Sequence, residues 1–78
     1  MNTIKDTLEF IIKSITADSD SVSVTEQSTE NGLTTLIITA PTEITGQIIG
    51  KQGRIIKAIR TIIGVSYPDS HFTIDIKN

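Results

Sequence analysis

The sequence predicts an α+β fold: a three-stranded mixed sheet covered on one face by three helices, with elements in the order α-β-β-α-α-β. Three observations carry that prediction. Isoleucine-rich runs with helical spacing occupy residues 4–15 and 55–63. β-Branched runs suited to strands occupy 22–25, 33–40 and 72–76, and Asn31-Gly32 joins the first two. A hairpin makes those two strands antiparallel, whereas a last strand reached over two helices can lie parallel to one of them. The order of the strands within the sheet does not follow from the residues.

Thr3 followed by Asp6 resembles a capping box. Ile4, Leu8, Ile11, Ile12 and Ile15 then recur at helical spacing, which predicts a first helix over about residues 3–16. The run Ala17-Asp18-Ser19-Asp20-Ser21 ends it with residues that favour caps and turns. Val22 and Val24 alternate with Ser21, Ser23 and Thr25, as in a half-exposed strand. Asn31 and Gly32 both tolerate positive φ, which makes them a hairpin signal. Leu33 to Ala40 forms the second strand, and Pro41 stops it, because proline has no N–H and holds Ala40 extended.

Residues 43–49 predict a short helix and about 54–63 a longer one, with Gly64 placed to end it as a left-handed cap. In the longer helix Ile55, Ile56, Ile59, Ile62 and Ile63 gather into one broad stripe expected to pack on the sheet. Tyr67-Pro68-Asp69 reads as a turn, and Phe72, Ile74 and Ile76 alternate with Thr73, Asp75 and Lys77 in the last strand.

At 78 residues the chain has room for one domain, near the lower end of what one apolar core stabilises. It contains no cysteine, which excludes disulfides and thiolate metal sites. No run has the length of a membrane span, and the N-terminal residues lack the pattern of a signal peptide. The formal net charge is −2, but the charge is unevenly spread. Residues 44–67 hold four basic side chains (Lys51, Arg54, Lys57 and Arg60) and no acidic one; the rest hold three basic and nine acidic, a balance of −6. An acidic body with one basic patch binds a polyanion locally and in a constrained orientation. The plain alternative is a solvated helix face.

Between the two predicted helices stands Gly50-Lys51-Gln52-Gly53. A Gly-x-x-Gly turn at such a junction lets a phosphate backbone approach the main chain and leaves the N-terminus of the next helix facing the anion. Arg54, in the first turn of that helix, opposes its dipole at a cost of about 0.3–1 kcal/mol, which an intervening anion would remove. By itself the motif is weak, since glycines can serve only to relieve crowding at a helical corner. Its context strengthens it: helices on both sides, Lys51 within and Arg54 just after. A nucleotide P-loop is excluded, because Gly46 to Lys51 spaces its glycines wrongly, Gln52 stands where Ser or Thr would hold magnesium, and the preceding segment is helical. A DNA-reading helix-turn-helix would leave the sheet incidental and offers no Asn or Gln to base edges.

The stretch from Gly46 to Arg60, GQIIGKQGRIIKAIR, set in this element order, resembles KH domains of the type II arrangement. It is similar to the small stand-alone bacterial KH proteins of the KhpA family. The resemblance spans essentially the whole chain, so that residues 1–78 are read as a single KH domain. It implies single-stranded RNA as ligand, with Gly50, Lys51, Gln52 and Gly53 clamping about four nucleotides. It further implies that Ile48 or Ile49 lines an apolar floor under the bases, that Arg54 and Lys57 meet phosphates, and that strand residues around Leu36 to Thr39 form the opposite wall. An RNA chaperone or post-transcriptional regulator in the bacterial cytoplasm is implied, acting as a homodimer or with a second KH-containing protein of the KhpB or Jag-like kind. The chain departs from the family pattern at Gln47, a position often basic in relatives, and in its acidic overall charge.

The remaining residues point to no chemistry. His71 is the lone histidine, and Asp18 and Asp20 are explained by turn formation. No nucleophile, base and orienting group recur together, so no enzymatic activity, cofactor or metal is expected. The aromatics are Phe10, Tyr67 and Phe72, none of them in the loop, so base stacking is minor; Tyr67 is expected to pack in its turn rather than serve as a platform. A second function class stays open: a protein-interaction subunit whose fold serves dimerisation and whose partner supplies most of the RNA affinity.

Overall fold

The computed structural model describes residues 3–77. Helix α1 (Ile4–Ile15) begins with the capping box anticipated from the sequence: Thr3 Oγ1 accepts from the Asp6 amide at 3.1 Å and Asp6 Oδ2 accepts from the Thr3 amide at 3.4 Å. Leu8 and Ile12, on the inward face, are fully buried. A 3₁₀ turn (Ser19–Ser21) leads into strand β1 (Ser23–Ser28), which pairs antiparallel with β2 (Leu33–Thr39). Helix α2 (Thr42–Ile49), a 3₁₀ turn (Lys51–Gly53) and helix α3 (Arg54–Ser66) follow. Strand β3 (His71–Lys77) then runs parallel to β2.

The strand order is β1-β2-β3, with β2 in the centre. Register and pleat set the core. Val24, Ile38 and Ile76 lie in one row across the sheet and Leu36 lies beside Ile74, all on the helix-covered face. Alternation sends Thr25, Thr39, Thr73 and Asp75 to the open face, where they are exposed. Helix α1 packs on β1 and against α2 and α3. The α+β architecture and element order are therefore those the sequence predicts.

Two local expectations are corrected. The hairpin link is longer than the Asn31-Gly32 pair: β1 ends at Ser28, the Gly32 amide donates to Thr29 O at 3.1 Å, and the Thr29 amide donates to Leu33 O at 2.9 Å. Within this link only Gly32 has positive φ, at 82°. One left-handed residue closes this loop, where a two-residue Asn-Gly hairpin of type I′ would need two. Gly64 does not end α3, which continues to Ser66 and is closed by the Tyr67 amide donating to Ile63 O at 2.9 Å. The extra turn carries Tyr67 to the start of α1, where its hydroxyl bonds the Thr7 hydroxyl and the Thr3 carbonyl. That tertiary anchor outweighs the local preference of glycine for a cap. Tyr67 thus packs in its turn, as expected, and the Ser70 amide closes that turn on Tyr67 O.

Candidate nucleic-acid interface

Helix α2 ends where the Gly50 amide donates to Gly46 O at 3.0 Å. The chain then leaves the helix through a backbone shape that few residues adopt. Gly50 has φ 75° and ψ 175°, Gln52 has φ 57° and ψ 25°, and Gly53 has φ 73° and ψ 17°. Three of the four loop residues therefore have positive φ. The two glycines meet this need differently. A methyl group on Gly53 would meet nothing within 4 Å, so that position asks only for the dihedral. A methyl group on Gly50 would stand 2.5 Å from Ile55 Cγ1, so that position excludes a side chain on space as well. Gln52 holds a left-handed conformation without being glycine, at a cost on the order of 1 kcal/mol. Its Oε1 accepts from Arg54 Nη2 at 3.4 Å, a long and weak bond.

The loop is held by the Gly53 amide donating to Gly50 O at 3.1 Å and by the Arg54 amide donating to Lys51 O. None of Lys51, Gln52 and Gly53 is buried, and no side chain caps the first turn of α3. Lys51, Arg54, Lys57 and Arg60 are all exposed. Among the described residues none of the four is paired with a carboxylate; the ion pair present is Lys13 with Glu9 on α1, at 3.8 Å. This cluster of uncompensated cations surrounds an open main-chain turn.

At about 100° per residue, α3 presents three faces. Ile56, Ile59 and Ile63 are buried in the core, and Arg54, Lys57 and Arg60 form a basic face. Between them lies a face the sequence reading assigns to the core: Ile55 is 40% exposed and Ile62 49%, and they line up with exposed Ala58 and Val65. The expectation that all five isoleucines pack on the sheet is thus corrected. A helix lying on a sheet covers a limited arc, and a stripe this wide overruns it. Ile55 is the residue beside the loop that the sequence reading missed. Its adjacency to Gly50 across the turn was the available signal.

The two isoleucines before the loop divide in the same manner. Ile48 is fully buried, whereas Ile49 is 39% exposed. The wall expected from Leu36 to Thr39 is not formed by side chains on the helical side, because Leu36 and Ile38 are fully buried and Ile37 and Thr39 alternate to the other face of a strand paired on both edges. Gln47 has a structural partner: its Oε1 accepts from the Ala17 amide at 3.1 Å and ties α2 to the segment after α1. Among the described residues no group of three His, Cys, Asp or Glu side chains could hold a metal ion, and no helix is long and apolar enough to cross a membrane.

A three-stranded mixed sheet with three helices on one face, and a Gly-x-x-Gly turn joining the second and third helices, defines a KH domain of the type II arrangement. Residues 5–77 match the family described as KhpA/KhpB, KH domain, and the chain belongs to that family. It is 45% identical over 60 residues to the RNA-binding protein KhpA of Clostridium acetobutylicum, covering 77% of this chain and 79% of that one. It is 40% identical over 63 residues to the RNA-binding protein KhpA of Aquifex aeolicus, covering 81% of this chain and 78% of that one. The protein of the same name from Listeria monocytogenes is 38% identical over 53 residues, 68% of each chain.

Proposed function

We propose that this chain is a cytoplasmic RNA-binding KH module, acting as an RNA chaperone or post-transcriptional regulator, that grips the backbone of single-stranded RNA on the Gly50-Lys51-Gln52-Gly53 loop. The observation that carries this reading is the open, positive-φ turn set among four cations that no carboxylate of the described residues neutralises. Membership of a family whose relatives are named RNA-binding proteins supports it. In this scheme the loop amides and Lys51 meet phosphate, Arg54 and Lys57 extend the contact along α3, and Gln52 lies in the clamp. Ile49 supplies apolar surface to a base, and Ile48 holds α2 to the core beneath it.

Neutralising about three or four phosphates of a single strand gives a slope of about −2 to −3 for log K against log salt. Between 50 and 200 mM salt the affinity then falls roughly 20- to 50-fold. The test compares the protein with Lys51→Asp/Gln52→Asp against a single-stranded RNA pool across that range, after circular dichroism shows both folded. Loss of the salt-sensitive binding in the variant is the expected result. Equal binding by both proteins, or none by either, would sink the loop as the intrinsic RNA site.

The exposed apolar face of α3 favours a second, compatible reading. Ile55, Ala58, Ile62 and Val65 follow the spacing of a packing seam and lie outside the core. We propose that this face meets a second KH chain, whether another copy or a KhpB-like partner, so that two loops act on one RNA. A stable interface takes about 800 Å² from each side, roughly a sixth of the 5042 Å² surface of this chain. Sedimentation equilibrium of the protein and of Ile62→Glu decides it: a self-association lost in the variant supports the face, and a monomer in both cases removes the homodimer.

A further inference from the structure

Beyond its two main-chain hydrogen bonds, the loop has no buried side chain of its own to anchor it. No side chain from Lys51 to Gly53 is buried, and the Arg54–Gln52 bond is long. Yet the loop leaves α2 through Gly50 at φ 75° and ψ 175°, a region open essentially to glycine alone, so something must hold it there. The contact that does so comes from the far side of the turn. A Cβ on Gly50 would lie 2.5 Å from Cγ1, 2.8 Å from Cβ and 2.9 Å from Cδ1 of Ile55. The branched side chain of Ile55 therefore fills the space that a side chain at position 50 would take and lies against the backbone of the loop's first residue. A β-branched residue within a helix is confined to essentially one χ1 rotamer, so this buttress is stiff. It stands on the first turn of α3, next to Ile56, which is anchored in the core.

We propose that Ile55 is a positioning residue for RNA binding: it sets the distance between the GKQG loop and α3 and keeps the loop amides in the conformation that receives a phosphate. The proposal rests on the RNA-binding reading above, and it explains why an isoleucine sits 40% exposed at the rim of the basic patch. Because Ile55 acts through the loop rather than on a phosphate, its removal lowers the fraction of molecules with a competent loop and leaves the number of ionic contacts unchanged.

The experiment uses Ile55→Ala and Ile55→Val. Amide exchange of Lys51, Gln52 and Gly53 is measured in the free proteins, and affinity for a labelled single-stranded oligoribonucleotide is measured at several salt concentrations. Ile55→Ala is expected to speed loop exchange while core amides keep their protection. It should weaken RNA roughly five- to tenfold with the salt slope unaltered. Ile55→Val keeps the β-branch and should behave as the parent does.

The proposal is overturned if Ile55→Ala leaves loop exchange unchanged, if exchange rises without loss of affinity, or if core protection falls along with it. Failure of the RNA reading is separable, since it shows as Lys51→Asp/Gln52→Asp binding like the parent. Loop exchange in the free proteins would then confirm or refute the hold of Ile55 on the loop, and the part in RNA binding would fall with that reading.

Discussion

The two loop glycines look equivalent in the motif and should differ sharply on substitution. At Gly53, φ is 73° and ψ 17°, and an added methyl group has open space. Alanine there incurs the left-handed penalty of about 1–2 kcal/mol, offset by about 0.4–1 kcal/mol from a less flexible unfolded chain. The net loss is about 0.5–1 kcal/mol. At Gly50 the dihedrals are open essentially to glycine alone and cost a side chain about 1–3 kcal/mol. The collision 2.5 Å from Ile55 Cγ1 adds overpacking of about 1–3 kcal/mol. After the same offset, Gly50→Ala loses about 2–5 kcal/mol. A domain of 78 residues holds a total stability of roughly 4–12 kcal/mol, so the second change removes a large share of it. Urea unfolding followed by circular dichroism measures both. With a slope near 1 kcal/mol/M, the midpoint should fall by roughly 0.5–1 M for Gly53→Ala and by several times more for Gly50→Ala. Equal shifts, or a larger shift at Gly53, would refute the assignment of steric exclusion to Gly50.

Three further outcomes follow from the same geometry. Ile48→Ala empties a fully buried site and should destabilise by about 2–5 kcal/mol, whereas Ile49→Ala, at a 39% exposed position, should cost little stability and weaken RNA binding; paired urea and RNA titrations separate the two. Tyr67→Phe removes the hydroxyl that bonds Thr7 and the Thr3 carbonyl, and unfolding curves should show a loss of about 0.5–1.5 kcal/mol. Thr3→Ala breaks the capping box of α1 and should lower stability by about 1 kcal/mol; no change in the urea midpoint would show that the box contributes nothing.

The fold was legible because each signal was local and the signals agreed. The Thr3–Asp6 box, the stop at Pro41 and the alternation of β3 each state their element within a few residues. The strand order was not legible, because it depends on which edge of the hairpin β3 joins, a choice made by packing across the whole sheet. Gly64 misled for a similar reason: its local preference for a cap yields to the bonds that Tyr67 makes to α1. The loop residues could be named from the motif, and the structure places all four at the junction of α2 and α3 with the cations around them. The role of Ile55 was hidden by the width of the isoleucine stripe. Periodicity groups residues by direction around the helix axis, and it cannot say where the covered arc ends.

That division of α3 bears on how an acidic protein can hold RNA. Outside residues 44–67 the balance is −6, so most orientations of an approaching strand are repelled, and the basic face and loop are where the field admits it. If the loop and helix meet three or four phosphates, as proposed, those contacts decay quickly with salt, and a single module would be a weak binder at cellular ionic strength. Raising the affinity with more cations along α3 would require giving up either the core face or the exposed apolar face, since the helix has no fourth side. Joining two modules through the apolar face raises the effective concentration of the second loop without altering either patch. On the proposed reading the acidic body and the uncovered isoleucines would belong to one arrangement: the body would confine RNA to the patch, and pairing would supply the strength that one patch lacks. A variant that is monomeric but otherwise folded should therefore keep the salt slope of a single patch while losing affinity for RNA long enough to reach two loops, and equal affinity for long and short strands in the paired protein would contradict it.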